Sequence, residues 1–197
     1  MVVVGLTGGI GSGKTTILNY FKTLGVPIYI ADDEAKALMN RSKVIKRKLV
    51  ALFGEEAYKD DKLNRPYLAS KIFNDKALLD KMNAIVHPKV ASHFKRWLQK
   101  QSSTYVIKEA AIIFENNLQS QYHYIITVIA DEDLRIKRVM KRDNTSKEKI
   151  KSIINNQLSD KEKAEKSDFV IVNNDLLVAK NQADKVHNEI LQKIKHK

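Results

Sequence analysis

No cysteine occurs among the 197 residues. Disulfide staples are excluded, and with them thiolate metal ligands and a cysteine nucleophile. Proline is scarce, and no proline- or serine-rich linker or internal repeat divides the chain. Tryptophan occurs once, and the sequence shows no glycine-flanked aromatic clusters of the kind on which single-stranded nucleic acid stacks. No apolar run approaches membrane-spanning length, and the chain starts on a strand-like segment with no room for a signal sequence, so a cytoplasmic location is expected. Glycine is the most telling scarcity, because all seven glycines lie at or before Gly54. A GTPase needs an Asp-x-x-Gly switch and an Asn-Lys-x-Asp guanine motif, and a transporter-type ATPase needs a downstream glycine-rich signature. None of these strings is present.

What is present is concentrated at the start. Gly8-Gly9-Ile10-Gly11-Ser12-Gly13-Lys14-Thr15 is a complete G-x-x-x-x-G-K-[ST] loop, directly after the apolar run Val2 to Leu6. Its glycines let successive backbone N–H groups turn toward one anion, and the following helix brings its positive end to the same point. Gly11, Ser12, Gly13, Lys14, Thr15 and Thr16 are therefore the expected phosphate-binding residues. Lys14 is expected to reach the β- and γ-phosphates of a nucleoside triphosphate, and the Thr15 hydroxyl is the expected Mg²⁺ ligand.

Further apolar, β-branched runs at 26–31, 105–107, 124–130 and 169–172 alternate with helical stretches. This pattern predicts an α/β fold, a P-loop kinase-like parallel five-stranded sheet with helices on both faces. The first helix is expected from Lys14 to Leu24, stopped by Gly25. One domain is expected, with a core at 1–31, 104–140 and 168–197, a helical insertion at 32–103 and a helical lid at 141–166. The insertion shows helical periodicity in Leu78, Met82, Ile85 and Val86, then a break at Pro88, then Val90, Phe94, Trp97 and Leu98. The formal charge of +12 suits a nucleic acid, an acidic membrane surface or a polyanionic small substrate.

Three groups of residues carry candidate chemistry. Asp32, Asp33 and Glu34 follow the second strand, at the edge of the sheet where open α/β folds bind ligands. Asp32 is read as the base that accepts an alcohol proton, and its two neighbours as helix-terminal charges. Leu134 to Arg142 reads as an amphipathic helix with Ile136, Val139 and Met140 buried and Arg135, Arg138 and Arg142 on another face. Arginines there can neutralise the transferring phosphoryl oxygens. Thr145 and Glu148 then read as a capping box opening the lid.

The chain as a whole resembles the dephospho-coenzyme A kinases. Leu6 to Thr15 matches the family's L-T-G-G-I-G-S-G-K-[ST] without a gap. Its D-A-D-x-x-A-[RH] is matched in part: Ala31, Asp32 and Ala35 agree, whereas Ile30 stands where the first aspartate is usual. Asn64-Arg65-Pro66-Tyr67-Leu68 is similar to D-R-x-x-L, Ile85-Val86-His87-Pro88 to I-x-H-P, and Ala111 to Glu115 to P-L-L-[FV]-E. Arg138 and Arg142 fit Q-x-x-R-x-x-x-R with Arg135 in place of glutamine, and Asn173 fits V-I-x-N. The resemblance implies transfer of the ATP γ-phosphoryl group to the 3′-hydroxyl of dephospho-coenzyme A, with ATP and Mg²⁺ required. It implies catalytic roles for Asp32, Lys14 and Arg138, acceptor contacts from Asp32, Arg65 and His87, and nucleotide contacts from Arg142 and Asn173. The expected partners are the two small substrates, with no nucleic acid and no membrane. Another nucleotide or nucleoside kinase, or a nucleic-acid-stimulated ATPase, is the alternative that the residues alone leave open.

Overall fold

The computed structural model describes residues 1–73 and 75–196. Its strands are β1 (Val2–Thr7), β2 (Ile28–Ile30), β3 (Tyr58–Lys59), β4 (Lys62–Leu63), β5 (Tyr105–Glu109), β6 (Tyr124–Ile129) and β7 (Phe169–Val172). Its helices are α1 (Lys14–Thr23), α2 (Ala31–Arg41), α3 (Lys43–Phe53), α4 (Arg65–Ile72), α5 (Lys76–Leu98), α6 (Glu132–Asp143), α7 (Lys147–Asn155), α8 (Asp160–Glu165) and α9 (Leu176–Lys195). Residues 1–29 and 102–197 form one compact unit, and residues 30–101 form a second.

The first unit is built on a five-stranded sheet of order β2-β5-β1-β6-β7, in which the pairs β1–β5, β1–β6 and β6–β7 run parallel. The five expected strands are all there. In β1 every residue after Val2 is buried, which requires cover on both faces of the sheet and explains the unbroken apolar run. Ile17, Leu18 and Phe21 of α1 and Ala179, Ala183 and Ile190 of α9 are among the core side chains, and these two helices pack on each other. Helix α1 ends as Gly25 predicts. The Gly25 N–H donates to the Lys22 carbonyl at 3.1 Å and the Val26 N–H to the Phe21 carbonyl at 3.2 Å, a Schellman closure that needs the φ of 82° found at Gly25.

In the second unit, α5 packs on α2, α3 and α4. It corrects one expectation, because the helix runs unbroken through Pro88. Proline removes one helical hydrogen bond and costs about 3 kcal/mol in a helix interior. Here Val86 and Val90, both buried, anchor the turns on either side of it. The same unit holds an unanticipated hairpin, β3 with β4, in which Tyr58 faces Leu63 and Lys59 faces Lys62. Its two-residue turn is Asp60-Asp61, both at positive φ, the geometry of a type I′ connection.

Candidate active site

The phosphate loop leaves the C-terminal end of β1 and enters α1 at Gly13, which adopts a left-handed conformation with φ 89°. Gly13 is also short of space, since a Cβ there would stand 2.0 Å from Asn173 Nδ2. That close approach is productive. Asn173 is buried just beyond β7, and its Nδ2 donates to the Ser12 carbonyl at 2.8 Å, tying the end of one strand to the loop. Lys14 Nζ donates to the carbonyls of Gly8 and Gly9 at 2.8 and 3.1 Å, so the ammonium lies over the loop itself. Thr15 and Thr16 are exposed in the first turn of α1, and the Thr16 N–H closes on the Gly13 carbonyl at 3.0 Å.

Helix α6 brings its arginines to three different environments. Arg138 Nη2 donates to the Asn173 carbonyl at 2.9 Å. Its Nη1 is buried without a hydrogen-bond partner, 3.9 Å from where a Cβ on Gly13 would stand. A buried guanidinium nitrogen with no acceptor is costly, and an anion in the loop would supply one. Arg142 at the helix end pairs instead with Asp143, Nε to Oδ1 at 2.7 Å and Nη2 to Oδ2 at 2.8 Å. That bidentate contact holds the Asp143 carboxyl below its usual range. Arg135 is not an open phosphate ligand, contrary to the expectation of three arginines on one face. It is buried and salt-bridged to Asp160 at 3.0 Å.

Two local readings need correction. Met140 is exposed, and the buried stripe of α6 is Arg135, Ile136 and Val139, with Ile136 and Val139 packing on Ile150 of α7. Arg135 can be buried in that stripe because its charge finds the carboxylate of Asp160. Helix α7 is capped by Ser146, whose hydroxyl accepts from the Lys149 N–H at 3.4 Å, rather than by Thr145. The true capping box lies further on, between Ser159 and Glu162 at the start of α8.

Glu115 and Lys163 form a pair that hydropathy does not reveal. Lys163 is fully buried on α8, with Nζ 2.8 Å from Glu115 Oε1. Glu115 Oε1 also accepts the Leu158 N–H at 3.2 Å. The signal available in the sequence was the glutamate that ends Ala111 to Glu115, but no spacing rule connects it to a lysine so far along the chain.

The remaining predicted residues belong to the second unit. Asp32 is exposed in the first turn of α2, which starts at Ala31 immediately after β2. Its neighbours are engaged elsewhere, Asp33 with Lys36 at 3.1 Å and Glu34 with Arg41 at 3.1 Å. Arg65 is the exposed first residue of α4, behind the Asn64 cap, and lines an open cleft of ≈ 440 Å³ with Asn40, Asp61, Lys62 and Leu63. His87 is exposed on α5.

Comparison with known proteins adds a family to this geometry. The family model for dephospho-CoA kinase matches residues 2–178. A dephospho-CoA kinase of Bacteroides fragilis (strain YCH46) is 38% identical over 173 residues, which span 87% of this chain and 84% of that protein. The crystal structure of TT1252 from Thermus thermophilus matches with a TM-score of 0.89 at 28% identity, over 96% of this chain and 97% of the other. A dephospho-CoA kinase from Campylobacter jejuni shares the fold, with a TM-score of 0.68 at 24% identity over 95% and 96% of the two chains.

Proposed function

The chain belongs to the dephospho-CoA kinase family, and from that premise we propose that it transfers the γ-phosphoryl group of ATP to the 3′-hydroxyl of dephospho-coenzyme A, giving coenzyme A and ADP. The observation that carries the nucleotide half is Arg138 Nη1, a buried cationic donor without a protein acceptor beside Gly13. An ATP phosphate in the loop completes it.

In this reading the acceptor's 3′-oxygen attacks the γ-phosphorus, the bond from that phosphorus to the β–γ bridging oxygen breaks, and the hydroxyl proton passes to Asp32. Lys14 exchanges the carbonyls of Gly8 and Gly9 for β- and γ-phosphate oxygens. Arg138 neutralises charge on the transferring group, and Arg142 is the second cation, available once it releases Asp143. The backbone of Gly11, Ser12, Gly13 and Thr16 frames the phosphates, with Asn173 on the nucleotide side. Arg65 and His87 hold the acceptor. Residues 32–103 form its binding insertion and 141–166 the lid, on a core of 1–31, 104–140 and 168–197.

The donor set fits Mg²⁺. Among the described residues no cluster of three His, Cys, Asp or Glu is placed to cage a metal, while Thr15 offers an exposed hydroxyl beside the loop. A magnesium ion held mainly by phosphates and water needs no more. When bound it would neutralise phosphate charge. No helix among the described residues is long and apolar enough to cross a membrane, and a cytoplasmic reaction between two dissolved substrates suits a cysteine-free chain.

The test is to incubate the protein with Mg-ATP and a panel of dephospho-coenzyme A, nucleosides, nucleotides and nucleic acids, and to identify the phosphorylated product. Phosphorylation of dephospho-coenzyme A at its 3′-hydroxyl is expected, and Lys14→Ala should lower it by about 10³-fold or more. A phosphorylated nucleoside as the main product, or ATP hydrolysis driven by nucleic acid alone, would overturn the reading.

A further inference from the structure

Ile10 stands inside the phosphate loop with both of its backbone polar groups held by side chains from outside the loop. Its N–H donates to Gln157 Oε1 at 3.0 Å, and its carbonyl accepts from Arg135 Nε at 2.9 Å. Arg135 reaches that position because Gly9 has no side chain, since a Cβ there would lie 2.2 Å from Arg135 Nη2. The other side of the guanidinium is fixed by Asp160, Nη1 to Oδ2 at 3.0 Å, in a pair whose side chains are only 7% and 20% exposed. Asp160 is the first residue of α8, behind the Ser159–Glu162 capping box, and Lys163 fastens the same helix to Glu115 at 2.8 Å.

Stability is a poor explanation for this arrangement. Buried ion pairs rarely outperform an apolar replacement. This one is also incompletely satisfied, because Asp160 Oδ1 is buried without a partner. What the pair does achieve is orientation. A loop with glycine on both sides of Ile10 has little preference of its own, and ordering it on each binding event would weaken nucleotide affinity.

The geometry points to Arg135, Asp160 and Gln157 as positioning residues that hold the phosphate loop in shape before nucleotide arrives, with residues 157–163 a fixed brace beneath the loop and not a moving part of the lid. This rests on reading the loop as the ATP site. Asp160→Asn should raise KM for ATP about tenfold while leaving kcat and KM for dephospho-coenzyme A within about twofold. A purely structural role would instead lower the melting temperature and the active fraction with both KM values unchanged. Asp160→Glu should recover most of the ATP affinity. Arg135→Gln combined with Asp160→Asn should be no worse than the poorer single variant, because the two act as one unit.

Two measurements keep the outcome decisive. Lys14→Ala is the control for the site: unimpaired ATP binding in that variant would overturn the underlying reading. Lost binding there, with an unchanged KM for ATP in Asp160→Asn, would overturn only the positioning role. Should the Asp160 variants fail to fold, amide exchange in the nucleotide-free wild type decides. The Ile10 amide should exchange slowly without ATP, and exchange at the rate of an open peptide would refute the clasp.

Discussion

The two units treat their charged residues in opposite ways. Around the phosphate loop, the buried cations Arg135 and Lys163 are locked to the half-buried carboxylates Asp160 and Glu115. Asn173 is likewise bonded to the Ser12 carbonyl of the loop, and Arg138 to the Asn173 carbonyl beyond β7. In the helical unit of residues 30–101, Asp32, Arg65 and His87 are exposed, and pairs such as Asp33–Lys36 lie in solvent. Bonds within the protein therefore hold the first set in place in advance, whereas the second set is left to solvent. Nucleotide affinity should depend on a network, and acceptor affinity on single side chains.

The largest effects separate the base from the charge clamp. Asp32→Asn should lower transfer to dephospho-coenzyme A by about 10³-fold while leaving the slow hydrolysis of ATP by water within a few-fold of wild type. Arg138→Ala should slow both reactions, by about 10²-fold, because it removes charge from the phosphoryl group whichever oxygen attacks. Comparing the two rates in each variant is the check; transfer at the wild-type rate by Asp32→Asn would reduce that carboxylate to a helix-terminal charge.

Truncation in the two units should then differ in kind. Arg65→Ala and His87→Ala are expected to raise KM for dephospho-coenzyme A about tenfold with the melting temperature moved by no more than about 1 °C. Asn173→Ala removes a buried bond to Ser12, so it should cost about 2–4 °C as well as ATP affinity. Thermal melts beside steady-state kinetics test the contrast, and equal melting temperatures for all three variants would erase it.

The smallest effect is a pH slope. Burial lowers the pKa of His187 from 6.5, and the Tyr105 hydroxyl lies 2.7 Å from its Nδ1. A neutral imidazole in the folded state contributes stability that is complete above the unfolded value and is lost as pH falls through the depressed one. The melting temperature should decline from about pH 6.5 downward, and His187→Gln should remove part of that decline. Identical slopes in the two proteins would clear His187 of any part in it.

Legibility followed the physics of each feature. The loop and the five sheet strands were readable because a complete motif and unbroken apolar runs reflect local geometry and two-sided burial. The β3–β4 hairpin was not, since its strands are two residues each and its turn is Asp60-Asp61 instead of the usual Asn-Gly. Pro88 suggests a helix break on local grounds, which tertiary packing of Val86 and Val90 overrides. Arg135 looks like one of three phosphate arginines until Asp160 is placed beside it. Partners so distant in sequence leave no periodic trace, and this is why the network around the loop was the least readable part of the site.

The sheet order also constrains when the protein can become itself. β1 precedes the other described strands in sequence yet lies at the centre of the sheet, with Val2 paired to Tyr105 on one side and Val4 to Tyr124 on the other. Both partners lie more than 100 residues further along the sequence. The apolar segment Val2–Thr7 must therefore wait unpaired while the helical residues 30–101 emerge, exposed to wrong contacts throughout that interval. Because the phosphate loop hangs from the end of β1, it too waits on strands far along the sequence before it acquires its working shape.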